Sequence, residues 1–306
     1  MRAAGAETLL MTGATGFIGR HAAARAIECG FRTYGLSRSA SIETLPPGVQ
    51  PLPIDLRDPA AVRRAFERVR PDRVIHLAAV GVLDTGVPLD LAADINVHGT
   101  LNVLEACAAV DVRRVVQVGT AYERVAAAAS DNSYAASKRG AWWAWRAFTQ
   151  AHALNSVALR LFHVYGPRQP ERGLIPAAIL AARRGETLKM TPGEQLRDFV
   201  YVGDVVDALI AAVSALDGQA QTYDIGTGEG RSVRSAVADI FERVNGGGRF
   251  EAGALPYRPH EVMALIAQPA AAQRELGWRA QVDWETGLAL TLRAFPLASD
   301  NRDSRT

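Results

Sequence analysis

Apolar and polar positions follow a repeating order in the first half of the chain: short apolar runs are separated by longer stretches with helical periodicity. Short apolar runs bounded by turn residues are typical of buried strands, and the longer periodic stretches are typical of helices packed on them. This order predicts an α/β fold in which parallel strands are joined by crossover helices. The predicted strands span residues 8–12, 32–36, 49–54, 74–77, 115–118 and 156–161.

Helices are predicted between these strands. One of them is well delimited, because Asp58 is a good N-cap, Pro59 suits the first helical position and Pro71 ends the pattern. The others cover residues 20–29, just before Gly30, and the alanine-rich stretches 91–110 and 134–153.

The pattern changes after about residue 164, where proline and glycine become frequent and the regular alternation breaks. We predict further strands at residues 199–202 and 223–225, and a helix over 204–216 with Asp204 as its cap. Additional helices are predicted over residues 175–184, 232–245, 270–276 and 284–295. The second half is therefore expected to be less regular than the first.

Composition narrows the class of protein. The 306 residues carry 34 Lys plus Arg against 32 Asp plus Glu, without a strongly basic stretch, which argues against a nucleic-acid partner. Nothing is long and apolar enough to span a bilayer, so no membrane association and a cytoplasmic location are expected. Cys29 and Cys107 are interpreted as free buried thiols in a reducing compartment. The histidines show no ligand spacing, so no metal site is expected.

Residues 12–19, TGATGFIG, follow the first predicted strand and hold glycines at positions 13, 16 and 19. Glycine allows positive φ in a turn, close approach of phosphate oxygens, and contact between strand and helix without an intervening Cβ. A helix beginning there aims its free N–H groups at a pyrophosphate. Taken alone, such glycines also suit a purely structural turn.

Tyr134 and Lys138 are separated by four positions on a predicted helix, so they share one face. The ammonium is expected to favour the phenolate and to lower the pKa of Tyr134 toward neutrality. Tyr134 is then a usable acid at physiological pH. An exposed tyrosine beside a solvated lysine is the alternative when this motif is considered alone.

Together with these two motifs, several others make the chain resemble the extended branch of the short-chain dehydrogenase/reductase superfamily, from residue 8 to 295. They are Asp55-Leu56, His76-Leu77-Ala78-Ala79, Asn96-x-x-Gly99-Thr100, LRLFHVYGP at 159–167 and GEQLRDFVYV at 193–202. The resemblance implies a Rossmann-type doubly wound parallel sheet over residues 1–165, with contributions from about 196–226. A smaller, interleaved substrate-binding region would occupy residues 166–306. It also implies a homodimer formed through the helices at 91–110 and 134–153.

The resemblance also implies the roles of individual residues. Thr120, at the end of the fifth strand, would hydrogen-bond the reacting sugar oxygen, Tyr134 would donate the proton and Lys138 would hold the nicotinamide ribose. The implied coenzyme-binding residues are Gly13, Gly16, Phe17, Ile18, Gly19, Ser37, Arg38, Asp55, Leu56, Leu77, Ala78, Ala79, Tyr134 and Lys138. The implied substrate-binding residues are Thr120, Ala121, His163, Arg197 and Arg258.

In the substrate set, Arg197 and Arg258 would grip the nucleotide diphosphate. His163 replaces an asparagine that many relatives place against the diphosphate. A further departure lies at Arg124-Val125, where family members usually carry Tyr-Gly, which puts the shape of this loop in question.

Two local features separate the reactions of this superfamily. Its dehydratases carry an acid and a base beside the threonine, where this chain has Ala121 and Tyr122, so a dehydratase is disfavoured. NAD-using members place an acidic residue at the end of the second strand. This chain has Ser37 followed by Arg38, and an arginine there would pair with the 2′-phosphate of NADP(H). A surface arginine without this role is the alternative.

These features favour an NADPH-dependent 4-ketoreductase acting on a nucleotide-linked 4-keto-6-deoxysugar, with a nucleotide-diphosphate sugar as its small-molecule partner. The alternative is an NAD(P)-dependent sugar-nucleotide 4-epimerase, which returns the hydride that it takes. A 4,6-dehydratase and a non-catalytic NADP sensor are weaker alternatives, the latter because Thr120, Tyr134 and Lys138 are all present.

Overall fold

The structure is a computed structural model that describes residues 6–84, 86–125, 132–215 and 220–295. The strands are β1 Thr8–Thr12, β2 Arg32–Ser37, β3 Gln50–Pro53, β4 Arg73–His76, β5 Arg114–Thr120, β6 Ser156–Leu161, β7 His163–Tyr165, β8 Thr187–Met190, β9 Leu196–Arg197, β10 Phe199–Tyr201, β11 Thr222–Ile225, β12 Arg231–Ser232, β13 Arg249–Ala252 and β14 Ala264–Leu265. The helices are α1 Phe17–Glu28, α2 Pro59–Val69, α3 Leu89–Ala93, α4 Gly99–Ala109, α5 Ser133–Ala151, α6 Leu174–Arg184, α7 Val202–Ser214, α8 Val233–Val244, α9 Ala270–Leu276 and α10 Trp284–Ala294.

Within the described residues, seven strands form one parallel sheet in the order β11-β6-β5-β4-β1-β2-β3. Alternate residues of β1 point to opposite faces of the sheet. Leu9 and Met11 pack in the apolar cluster that includes residues of α1 and α7. Leu10 joins the cluster with α2, α4 and α5 on the other face. Helices therefore cover both faces, and the predicted α/β fold, a Rossmann-type doubly wound parallel sheet, is confirmed.

Strand β11 belongs to the second half of the chain but pairs with β6 at the end of the main sheet. The remaining short strands form small separate sheets, in which β7 pairs with β10, β8 with β13, and β9 with both β12 and β14. Because parallel strands end at a common edge, the loops after β1, β2, β4 and β5 meet there. This edge positions the candidate site.

Helix boundaries were partly predictable. Asp58 caps α2 as expected, because its side chain accepts a hydrogen bond from the backbone N–H of Ala61 at 2.9 Å. The predicted cap role of Asp204 is wrong: α7 begins at Val202, and the buried Asp204 carboxylate instead accepts from the N–H groups of Gln281 and Val282. Asp204 thus anchors a distant loop to the first turn of α7.

The predicted helix over residues 91–110 is interrupted. A π-helical turn, Asp94–His98, separates α3 from α4. Within this turn, the Asn96 side chain accepts from the Val80 N–H at 2.9 Å and donates to the Val80 carbonyl at 3.1 Å, in the loop after β4. This contact joins the irregular turn to the loop after β4.

The burial of the cysteines and tryptophans differs from residue to residue. Both cysteines are free, but only Cys107 is buried, whereas Cys29 is exposed at the end of α1. Trp145 is fully buried in the core, while Trp143 on the same helix is 59% exposed. Among the described residues, no helix combines the length and apolarity that crossing a membrane requires.

Candidate active site

The glycine turn after β1 is needed for close packing. Gly13 has φ +69°, donates its N–H to the Leu36 carbonyl at 2.9 Å, and leaves no room for a Cβ, which would lie 2.8 Å from the backbone nitrogen of Ala78. A Cβ at Gly19 would overlap the Gly13 carbonyl oxygen. Gly16 is the N-cap of α1 and is exposed. The first and third glycines therefore let α1 begin directly against the turn, as the spacing predicts.

The turn opens onto a cavity of about 590 Å³ at the carboxyl edge of the sheet. The structure brings all the predicted coenzyme residues to the lining of this one cavity: Gly13, Gly16, Phe17, Ile18, Gly19, Ser37, Arg38, Asp55, Leu56, Leu77, Ala78, Ala79, Tyr134 and Lys138. A glycine cradle at a helix N-terminus, next to apolar strand ends, fits a dinucleotide with its pyrophosphate over α1.

The end of β2 forms one edge of the cavity and presents hydroxyls and a cation. The Ser37 hydroxyl lies 2.9 Å from that of Thr15. The exposed Arg38 makes no hydrogen bond or ion pair with another described residue, and its charge contributes to lowering the pKa of the nearby Asp55 carboxyl. Asp55, after β3, is held by the Arg57 guanidinium at 2.7 and 3.1 Å, and this hydrogen bonding keeps the pKa of its carboxyl below the usual value. Asp55 is the one carboxylate among the described residues that line the cavity.

The predicted catalytic residues converge at the other side of the sheet edge. Thr120 is the last residue of β5 and is buried, and its side chain lies near enough to the Tyr134 hydroxyl to act on the pKa of that phenol. Lys138, one turn further along α5, donates from Nζ to the Val118 carbonyl at 2.7 Å. Asn132 caps α5 by accepting from the N–H of Ala135, which fixes the turn that carries Tyr134.

The electrostatics of this group differ from the expectation. Burial raises the pKa of the Tyr134 phenol, and the Thr120 side chain opposes that rise only in part. Burial also lowers the pKa of the Lys138 ammonium, whose hydrogen bond goes to Val118. The expected lowering of the Tyr134 pKa by Lys138 is therefore wrong for this structure, and the phenol stays protonated at neutral pH.

Buried polar residues behind the site hold its loops together. The Asn96 side chain donates to the Val80 carbonyl and to the Ser137 hydroxyl, which itself donates to the carbonyl of Tyr134. His76 lies between two threonine hydroxyls, and burial lowers its pKa to about 3, so its imidazole is neutral. These motif residues connect the loop after β4 to α5.

Only some of the predicted substrate residues line the cavity. Thr120, His163 and Arg258 line the cavity. Burial lowers the pKa of His163 to about 4, so it presents a neutral imidazole. Arg197 and Ala121 are both buried and lie outside the lining. Arg197 donates to Glu261 at 2.5 Å and to the Val262 carbonyl at 2.7 Å.

The turn after Thr120 explains the departure at Arg124-Val125. Residues Ala121–Arg124 form a 3₁₀ turn, and Arg124 leaves it to pair with Asp224 at 2.5 Å. Tyr122 lines the cavity, although its position carried no signal for this role in the sequence. Glu123 is not among the lining residues, and its carboxylate accepts hydrogen bonds from the Thr120 N–H and from Arg160.

The comparisons with known proteins agree with this architecture. A family model described as "NAD dependent epimerase/dehydratase family" matches residues 9–226. The UDP-glucose 4-epimerase of Streptomyces lividans is 30% identical over 298 residues, covering 88% of this chain and 90% of the relative. A crystal structure of UDP-glucose 4-epimerase from Thermotoga maritima with UDP-glucose has a TM-score of 0.84 and 28% identity, covering 94% of this chain and 98% of the other. The Thermus thermophilus UDP-glucose 4-epimerase complex with NAD has a TM-score of 0.81 at 30% identity, with the same coverages.

Proposed function

The chain belongs to the NAD-dependent epimerase/dehydratase family, and we propose that it is an NADPH-dependent 4-ketoreductase of a nucleotide-linked 4-keto-6-deoxysugar. The observation that carries the reductase assignment is the edge of the cavity at β2. Ser37 and Arg38 stand there, and Arg38 has no described ion-pair partner. NAD-using relatives are expected to carry a carboxylate at this place.

The coenzyme would be held along the carboxyl edge of the sheet. Gly13, Gly16 and Gly19 would cradle the pyrophosphate at the N-terminus of α1. The Arg38 guanidinium would pair with a 2′-phosphate, which a carboxylate would repel. Lys138 would contact the nicotinamide ribose. A coenzyme that arrives reduced and leaves oxidised suits a net reduction.

When bound, the nicotinamide supplies the hydride that reduces the C4 carbonyl carbon. Tyr134 would donate its phenolic proton to the C4 oxygen, so the ketone gains one hydride and one proton and becomes an alcohol. Because burial raises the pKa of Tyr134, the phenol keeps its proton until the oxygen becomes basic. The Thr120 hydroxyl would polarise the carbonyl, and Lys138 would stabilise the tyrosinate until solvent returns the proton.

The other end of the cavity is suited to the diphosphate of the substrate. Arg258 is exposed at the lining, and the neutral His163 can donate one hydrogen bond. Arg197 is proposed to act indirectly, by holding Glu261 in the turn that carries Arg258. The relatives and neighbours named above include proteins described as acting on or binding UDP-sugars, which supports a nucleotide sugar.

A second candidate is an NAD(P)-dependent sugar-nucleotide 4-epimerase. It is favoured by the comparisons, because the relative and the two neighbours named above are described as UDP-glucose 4-epimerases and one of those neighbours was solved with NAD. The same proton donor would serve both reactions, so the catalytic group does not separate them. A dehydratase is disfavoured because Ala121 and Tyr122 replace the acid and base, and a non-catalytic sensor because the catalytic group is intact.

The test is to incubate the protein with NADPH and a panel of UDP-, dTDP-, GDP- and CDP-linked 4-keto-6-deoxyhexoses. The proposal predicts loss of NADPH absorbance with at least one ketone, one equivalent per ketone consumed. Tyr134→Phe provides the catalytically impaired control. No turnover of any ketone, together with retained NAD and interconversion of two sugar nucleotides without added coenzyme, would establish the epimerase instead.

We also propose the organisation implied by the resemblance: an NADP-binding domain over residues 1–165 with contributions from about 196–226, an interleaved substrate-binding region over 166–306, and a cytoplasmic homodimer. The resemblance implies an interface along the helices at 91–110 and 134–153, and the exposed Trp143 of α5 provides a position at which to test it. Sedimentation should report a dimer for the protein and a shift toward monomer for Trp143→Glu.

A further inference from the structure

A second cavity, of about 550 Å³, lies on the face of the sheet that α1 and α7 cover. Its walls come from these two helices, from the loop between β2 and β3 and from the loop after β7. Within the described part of the chain, it shares no lining residue with the coenzyme cavity. Its volume is typical of pockets that hold small molecules. The proposed reaction has no use for it.

Three arginines line this second cavity, and the charge of one of them is compensated. Arg25 lies 3.2 Å from Glu28 and 3.5 Å from Asp207. The side chains of Arg20 and Arg168 make no hydrogen bond or ion pair with another described residue. Glu28 is the one carboxylate among the described residues of the lining. The second cavity therefore presents two positive charges without a counter-ion.

Arg20 is held in the wall of the second cavity. It lies on α1, one turn beyond the N-cap Gly16, and is only partly exposed. Its Nε atom is buried and has no hydrogen-bond partner among the described residues. Unpartnered buried donors are uncommon in folded proteins. The remaining N–H groups of the guanidinium form a planar fork that matches the oxygens of a phosphate.

Arg168 lies on the loop after β7, which is fixed against α1. The preceding residue, Pro167, accepts a hydrogen bond at its carbonyl from Nε2 of His21 on α1. Arg168 itself is exposed and has φ +65°, in the left-handed region, where a glycine would avoid a free-energy cost that an arginine incurs. The loop therefore holds an unpaired cation on the same cavity as Arg20.

The rest of the wall is largely apolar. The buried Leu45 and Val206 line it together with Pro46 and Pro47. An inorganic anion would leave these side chains without a contact, whereas an uncharged ring or chain attached to the anion would cover them. The lining thus combines cations for an anionic group with an apolar surface for the body that carries it.

We propose that the second cavity binds an organic phosphate, with the phosphate paired to Arg20 and Arg168 and the organic body packed against Leu45 and the two prolines. A phosphate monoester is close to doubly charged at neutral pH, which matches the two uncompensated guanidinium groups, whereas a carboxylate carries a single charge. This site is independent of the proposed reaction, so its test requires no sugar substrate.

Phenyl phosphate is a suitable probe, because it joins one phosphate to one apolar ring. Its affinity for the whole protein can be measured by ligand-observed NMR titration, with inorganic phosphate titrated in parallel. We expect saturable binding that is about 10-fold or more tighter for phenyl phosphate, since only its ring buries apolar surface. Absence of saturable binding, or equal binding of the two anions, would overturn the proposal.

Coenzyme separates the second cavity from the first. Phenyl phosphate should bind with the same affinity when NADPH or NAD is present in excess, because the two cavities share no described lining residue. Displacement of the probe by either coenzyme would place it in the coenzyme cavity and contradict the proposal. A protein that reduces no ketone but binds the probe as expected would reject the proposed function and leave the second site standing.

Arg168→Gly removes one of the two cations without threatening the fold, because glycine suits the positive φ. Binding of phenyl phosphate should weaken about 10-fold or more, as expected for a lost charge-assisted hydrogen bond, while the melting temperature does not fall. Arg20→Gln should weaken binding in the same direction.

The matched control is Arg70→Gly. Arg70 is also exposed and also has positive φ, +49°, but it ends α2, which packs on the other face of the sheet. The control changes charge and backbone strain in the same way and should leave the affinity for phenyl phosphate unchanged. Equal loss of affinity in Arg168→Gly and Arg70→Gly, or no loss in Arg168→Gly, would show that the second cavity does not bind the probe through Arg168.

Discussion

The two ends of the cavity are built in different ways. The glycine-turn end, around Gly13 and Arg38, consists of backbone turns and strand ends close together in sequence. The Arg258 end depends on short strands that pair across long separations, such as β9 with β12 and β14. Local spacing therefore determines the first end, whereas the second depends on which distant partner each side chain meets.

Arg197 and Arg258 illustrate the difference. Both belong to motifs that imply diphosphate binding, yet Arg258 is exposed at the cavity and Arg197 is buried in an ion pair with Glu261. The resemblance did not distinguish them, because the partner that occupies Arg197 lies 64 positions away in the chain. We therefore expect substitutions at the glycine-turn end to disturb both the backbone packing and the binding of coenzyme. At the Arg258 end, we expect some substitutions to lower stability and others to weaken substrate binding.

The largest effect is expected where the two ends meet. Tyr134→Phe removes the proton donor and should lower kcat by about 1000-fold, a value within the usual range for a lost general acid. Coenzyme affinity, followed by fluorescence titration, should stay within about 2-fold, since the phenyl ring is retained. As the control from the Arg258 end, His163→Asn should act mainly on KM. A Tyr134→Phe enzyme with normal kcat would remove Tyr134 from the mechanism.

Gly13 in the packed turn can be compared with Gly277, a glycine that also has positive φ but has free space around it. Gly13 and Gly277 both have positive φ, +69° and +64°, but a Cβ at Gly277 meets no atom within 4 Å. Gly277→Ala should therefore cost about 1 kcal/mol for backbone strain alone. Gly13→Ala adds overlap with the Ala78 backbone, so it should cost roughly 3 kcal/mol and weaken coenzyme binding. Urea unfolding of both variants measures this, and equal losses would show that crowding at the turn is unimportant.

Substitutions of Arg197 and Arg258, made separately, test the Arg258 end of the cavity. Arg197→Gln leaves Glu261 without its buried partner and should lower the free energy of unfolding by about 3 kcal/mol. Arg258→Gln should leave stability within about 0.5 kcal/mol and raise KM for the nucleotide sugar roughly 10-fold. Thermal unfolding and initial rates distinguish the two. The opposite assignment of effects would place Arg197, not Arg258, on the diphosphate.

The smallest effect is expected at the exposed edge of the glycine-turn end. Arg38→Ala should weaken NADPH binding about 10-fold, or about 1.4 kcal/mol, because the proposed ion pair is partly screened by solvent. Binding of NADH, which lacks the 2′-phosphate, should not change. Competitive titration of both coenzymes against wild type and variant measures the ratio, and an equal loss for both would reject a 2′-phosphate contact.

Much of the sheet was predictable from the sequence. Strands β1 and β6 have the predicted bounds, because each is a short apolar run that is nearly completely buried and bounded by turns. Strands β9, β12 and β14 were not predicted, since two residues carry no measurable periodicity. The π-helical turn at Asp94–His98 was also missed, because its contact through Asn96 is with a loop 16 positions away.

The sequence predicted which residues line the candidate site better than it predicted their pKa values. The glycine spacing and the Tyr134 motif identify side chains that line one cavity. The direction of the Tyr134 pKa shift was wrong, because burial outweighs the influence assigned to Lys138 and no sequence pattern measures burial of a phenol.

The proposed function requires NADPH to reduce the C4 carbonyl of a nucleotide-linked sugar in this cavity. The most direct measurement follows deuterium from NADPH that carries two deuterium atoms at C4 of the nicotinamide, using mass spectrometry and NMR of the sugar product. We expect one deuterium at C4 of the sugar for each NADPH oxidised. Recovery of unoxidised NADPH while two sugar nucleotides interconvert, with protium retained at C4, would contradict it.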